Sequence, residues 1–85
     1  MAEQLASFHA FLRDSRMAAG LTQEELAERA GITGRNVRVL ESGSTKPQRA
    51  NAQRLAQALG LEGERLEQFL ELAARAPRRG ATATE

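Results

Sequence analysis

The stretch from Thr22 to Ser42, TQEELAERAGITGRNVRVLES, constrains the fold more than any other part of the chain, because it reads as two short helices joined by a tight turn. Thr22 and Glu25 stand three residues apart, a spacing at which hydroxyl and carboxylate each satisfy an orphan backbone N–H at a helix start. The first of the two helices therefore begins at Gln23. Leu26, Ala27 and Ala30 lie three and four apart on one stripe, and Gly31 supplies the permissive backbone that lets the chain stop and turn. Thr33 can cap the next helix. Ala27 is small enough for a close crossing, with Ile32, Val37 and Leu40 filling the angle between the helices. Gly34, Arg35, Arg38, Val39 and Ser42, at i, i+1, i+4, i+5 and i+8, share the opposite face, which points outward and is basic.

The rest of the chain adds three helices and no strand. Helix one is predicted from about Leu5 to Ala19, with Leu5, Phe8 and Leu12 on one stripe and Gly20 as its stop. Gly43-Ser44-Thr45-Lys46-Pro47 breaks the pattern after the third helix, with Pro47 just ahead of the fourth. That helix directs Ala52, Leu55, Ala56 and Leu59 inward and stops at Gly60. The fifth, from about Gly63 to Ala76, carries Leu66, Phe69, Leu70 and Ala73 at i, i+3, i+4 and i+7. A domain is thus expected over residues 1–76, and PRRGATATE, residues 77–85, is expected to be a disordered tail.

The residues from Thr22 to Ser42 resemble the lambda-repressor-like, or XRE-type, helix-turn-helix family, and the likeness extends over roughly residues 8–72. Arg13 and Arg16 precede the Gly20-Leu21-Thr22-Gln23-Glu24-Glu25-Leu26-Ala27 run; Leu40-Glu41-Ser42-Gly43, Pro47 and Leu55-Ala56-Gln57-Ala58-Leu59-Gly60-Leu61 follow in order. The resemblance implies an all-α, five-helix lambda-repressor-like DNA-binding domain with the helix-turn-helix at helices 2 and 3. It implies double-stranded DNA as the partner, with a transcriptional regulator, a repressor before an activator, as the function.

Charge agrees once it is divided along the chain. The net value is only +1, but between residues 32 and 54 Arg35, Arg38, Lys46, Arg49 and Arg54 face Glu41 alone. The flanking segments are acidic, so positive charge is gathered where phosphates would lie.

Base reading is expected from Thr33, Gly34, Arg35, Asn36, Arg38 and Val39, because the N-terminal part of a second helix of this kind enters the major groove. Arg35 is the first candidate, since a guanidinium can bond guanine N7 and O6 together; a solvated surface arginine is the alternative. Arg38 can reach a base or a phosphate, Val39 a thymine methyl, and Asn36 can instead support the helix start. By resemblance, Gly34 departs from many relatives, which the family likeness implies often carry a base-reading polar side chain there; it allows a closer backbone approach or transfers the reading to Thr33, Arg35 and Asn36. By resemblance, Gln23 meets a phosphate at a helix N-terminus, and Ser42, the Gly43 N–H, Thr45, Lys46 and Arg49 hold the neighbouring strand segment. The resemblance also implies a partly buried salt bridge between Arg16 and Glu41, bracing the third helix from behind.

Relatives commonly dimerise through the C-terminal region. Leu66, Phe69, Leu70 and Leu72 are therefore interface candidates, although the first three have core spacing and Leu72 lies off that stripe. A two-fold homodimer would read a palindromic operator with half-site centres about 34–36 Å apart.

Other function classes have little support. His9 is the single histidine, cysteine is absent, and no Gly-rich loop ends in Lys-Ser or Lys-Thr. No catalytic residue, metal ligand or cofactor is implied. The apolar runs fall far short of the ~20 residues that cross a bilayer, and Met1-Ala2-Glu3-Gln4 lacks a signal peptide's basic start, so a cytoplasmic, nucleoid-associated protein is expected. The competing reading is an antitoxin-type or adaptor module, with a protein partner and autoregulatory DNA binding.

Overall fold

The computed structural model describes residues 7–76, and these form five helices without a strand. In chain order they are α1 (Phe8–Ala18), α2 (Gln23–Ala30), α3 (Gly34–Ser42), α4 (Arg49–Ala58) and α5 (Gly63–Arg75). The expected start at Leu5 and the expected tail, residues 77–85, both lie outside the described residues. Helix α5 stops one residue short of the expected Ala76, whose backbone is extended (φ −60°, ψ 147°). Pro77 accounts for this, because a residue before proline is pushed out of the helical region.

Three of the helices end in the same way. The amides of Leu21, Ile32 and Leu61 bond back to the carbonyls of Arg16, Ala27 and Ala56, each across a glycine. In each case the chain reverses after the helix, and the aliphatic residue behind the glycine packs on the core. Short connections follow, and the packing joins sequence neighbours and more distant helices alike: α2 packs on α3 and α4, α4 on α5, and α1 closes the bundle against α3 and α5.

The core joins Phe8 and Leu12 of α1, Leu26 of α2, Val37 and Leu40 of α3, Leu55 of α4 and Phe69 of α5. Phe69 is its centre. Its ring lies 5.0 Å from that of Phe8 and 5.9 Å from that of Phe11, in tilted and edge-on arrangements that suit aromatic quadrupoles. Arg65 then lies over the outer face of Phe11, 5.2 Å from the ring centroid, and reaches the buried Ser15 hydroxyl at 3.4 Å. The consequence for the site is that α3 rests on α1 and α2 along its apolar stripe, leaving the other side of the helix open.

Candidate nucleic-acid interface

Local chemistry sets the entry of both motif helices. The Thr22 hydroxyl accepts the Glu25 N–H at 3.0 Å, and the Glu25 carboxylate accepts the Thr22 N–H at 2.8 Å, a complete capping box. Gly31 adopts φ +74°, a left-handed conformation that costs an L-residue with a Cβ about 1–2 kcal/mol. Thr33 then caps α3, its hydroxyl accepting the Asn36 N–H at 3.1 Å. Of the expected base readers, Thr33 thus spends its side chain on the helix start, and Asn36 is half-buried.

Behind α3 lies an ion pair. Arg16 Nε donates to Glu41 Oε2 at 2.6 Å and Nη2 to Oε1 at 3.1 Å, a two-pronged geometry, while Nη1 donates to the Leu21 carbonyl at 2.9 Å. Gln23 joins them: its Nε2 donates to Glu41 Oε1 at 3.0 Å. The side chains of Arg16 and Glu41 are 14% and 5% exposed, so the pair is largely out of water. The hydrogen bonds that Arg16 donates to the Glu41 carboxylate hold its guanidinium above the ordinary arginine value, with burial opposing and the Glu41 charge reinforcing the shift. One network therefore ties α1, the α1–α2 turn, the start of α2 and the end of α3. It also turns the Gln23 side chain, expected at a phosphate, toward Glu41.

The open side of α3 carries Arg35, exposed and without an ion pair among the described residues, and the half-buried Val39. Arg38 is exposed on the same side but bonded, its Nη1 donating to Glu24 Oε2 of α2 at 2.6 Å. Ser42 is committed locally, donating to the Val39 carbonyl and meeting the Ser44 hydroxyl at 2.8 Å.

Beyond Ser42 the chain turns at Gly43, with φ +81°. The His9 ring of α1 lies directly beneath: a Cβ built on Gly43 would stand 2.8 Å from His9 Nδ1 and 3.0 Å from Cε1. Gly43 is required twice over, by its φ and by this contact. Gly43→Ala is therefore expected to lower unfolding free energy by about 1–3 kcal/mol, the cost of a strained φ compounded by displacement of the ring. Urea unfolding measures this, and an unchanged midpoint would show that the turn tolerates a side chain.

After the turn come Thr45 and Lys46, both half-buried, and Arg49 at the start of α4. Lys46 and Arg49 rim a groove of about 450 Å³ whose other wall is Leu70, Ala73 and Ala74 of α5. The fold thus brings Lys46 and Arg49 together, beside one of the dimer candidates. It separates Arg54 from them: that side chain reaches the Gly31 turn and shares a surface cleft with Glu28 and Arg29. Phe69, proposed from sequence as an interface candidate, is 0% exposed and belongs to the core, because its ring completes the aromatic cluster with Phe8 and Phe11. Leu66, Leu70 and Leu72 are half-buried against that core; the off-stripe position of Leu72 does not leave it fully exposed.

Two residues at this surface escaped the sequence reading. His9 stands 34 positions before Gly43, and Glu24 stands 14 before Arg38. Neither pairing leaves a local spacing signal; only the crossing of the helices creates it.

The family model described as a helix-turn-helix domain matches residues 8–69. The chain belongs to the helix-turn-helix domain family. Within it, α2 and α3 are the two motif helices, and the match runs from the first residue of α1 to Phe69, leaving Leu70 and Leu72 beyond it. Among curated proteins, an uncharacterized HTH-type transcriptional regulator of Methanothermobacter thermautotrophicus is 49% identical over 51 residues, spanning 60% of this chain and 74% of that protein. No solved structure matches the chain.

Proposed function

We propose that this helix-turn-helix protein is a sequence-specific double-stranded DNA-binding regulator of transcription that reads the major groove with α3. The observation that carries the reading is the two-sided character of that helix. Its inner side is braced by Arg16 and Glu41, while its outer side presents Arg35, exposed and without an ion pair among the described residues, with Lys46 and Arg49 on the loop and helix start that follow. A rigid helix offering a free guanidinium, next to cations that suit phosphates, matches the division of labour between base contacts and backbone contacts. The name of the 49% identical relative supports regulation as the purpose. Repression is the simpler outcome, since occupying a promoter blocks access without requiring an activating surface.

The protein acts in this reading as a homodimer on a palindromic operator, joined through α5 by Leu66, Leu70 and Leu72, with Phe69 retained in each core. Its DNA ligand would hold it at the nucleoid in the cytoplasm.

Selection from a random duplex pool, followed by titration of the winning site at two salt concentrations, tests this. Lys46 and Arg49 give two cationic phosphate contacts per protomer, so a dimer is expected to show a log–log salt slope of about −4 and a monomer one of about −2. Between 50 and 200 mM salt that is roughly a hundredfold loss for the dimer against roughly tenfold for a monomer. Arg35→Ala should relax preference at one guanine by about 1–3 kcal/mol and leave the salt slope nearly intact. Absence of any enriched site at low salt would overturn the reading and favour a protein partner, as in an antitoxin-type module.

A further inference from the structure

Glu24 is the second residue of α2, yet its carboxylate lies at the leading end of α3. The reason is Gly34, the first residue of α3. A Cβ at Gly34 would stand 3.0 Å from Glu24 Oε2 and 3.5 Å from Arg38 Nη1, so the ion pair occupies the space that a side chain at this position would fill. Arg38 holds the carboxylate there at 2.6 Å. The start of α3 carries the partial positive charge of its free amides, which further favours an anion at this place.

The two side chains are 68% and 52% exposed, and an ion pair so exposed adds little to stability. Its effect falls instead on what can approach the helix end. An ionised carboxylate only accepts hydrogen bonds. Guanine and thymine present acceptors at the major-groove edge and are repelled; adenine presents its N6 amino group beside the acceptor N7. Cytosine presents the N4 amino donor with an acceptor on one side only, the O6 of its paired guanine, whereas adenine N6 is flanked by N7 and by thymine O4. Arg38, meanwhile, keeps further N–H donors beyond the one given to Glu24, and these suit guanine N7 and O6.

We propose that Glu24, seated over Gly34 and held by Arg38, is a specificity-determining residue whose carboxylate accepts the N4 amino group of a cytosine facing the start of α3, with Arg38 serving an adjoining guanine. The assignment rests on the DNA-reading function proposed above. It also gives Gly34 a role: the glycine reads nothing itself and makes room for a reader borrowed from the neighbouring helix.

The full chain and Glu24→Gln, checked for equal helicity, are each taken through selection from a random duplex DNA pool. Each selected duplex is then titrated with its cytosine pair replaced by the other three pairs. The parent protein should select cytosine at one position of the site and lose at least about fivefold in affinity on replacement. Glu24→Gln should keep its preferences elsewhere but shift this position toward adenine, since a carboxamide can bond N6 and N7 together. An enriched site at which both proteins discriminate cytosine equally, or one without any position where their preferences differ, overturns the role of Glu24 while leaving DNA reading intact. Enrichment by neither protein overturns both.

Discussion

Glu41→Ala is expected to lower the unfolding free energy by about 3–5 kcal/mol, the range observed when one partner of a buried ion pair is removed. The carboxylate takes two hydrogen bonds from Arg16 and one from Gln23, so its loss strands a guanidinium that is only 14% exposed, with the Leu21 carbonyl as its remaining partner. A domain of this size has the lower part of the usual range of about 5–15 kcal/mol to lose, and each kcal/mol lost is worth about 4–8 °C in Tm. The single variant should therefore be marginally folded at room temperature. Replacing both partners with apolar residues, Arg16→Met with Glu41→Leu, should cost clearly less than the sum of the two single changes, because neither charge is then left without water or a partner. Strictly additive losses in urea unfolding would show that the pair is not coupled. The pH dependence has a defined sign. A guanidinium raised above its ordinary value contributes its full stability below the unfolded value and loses it only as pH rises through the folded one. Both lie in strongly alkaline solution, so Arg16 should impose no pH dependence in the neutral range.

Phe69→Ala should be equally severe, with a loss of about 3–5 kcal/mol, the usual cost of truncating a buried phenylalanine. The ring is 0% exposed and contacts two other rings on α1, so its removal leaves a cavity that rigid helices on both sides cannot collapse. The expected readout separates core from interface. A core residue lowers the unfolding midpoint at every protein concentration, whereas an interface residue would leave the monomer folded and change only the elution volume and the concentration dependence of Tm. Retained monomer stability in Phe69→Ala would overturn the core placement. Leu70→Ala is the useful companion, since Leu70 lines the groove wall opposite Lys46 and Arg49 and is only partly buried.

The amino-acid sequence by itself determined what depends on neighbours within a turn or two of helix. The Thr22 and Glu25 capping box, the stop at Gly31, the cap at Thr33 and the apolar stripes of all five helices were legible because each is a short-range pattern of hydrogen bonding or periodicity. So was the outward placement of Arg35 and Arg38, since the buried stripe of Val37 and Leu40 leaves no other side for them. What only the tertiary structure decided is how those side chains are spent. Gln23 turns to Glu41, Arg38 is taken by Glu24, His9 lies beneath Gly43, Arg54 departs from the cationic loop, and Phe69 is enclosed by α1. Each of these joins residues far apart in the chain, and their distances are set by helix crossings rather than by spacing. A carboxylate or guanidinium can reach several partners within a few ångströms of its backbone position, and which one it meets depends on where the neighbouring helix places its own atoms.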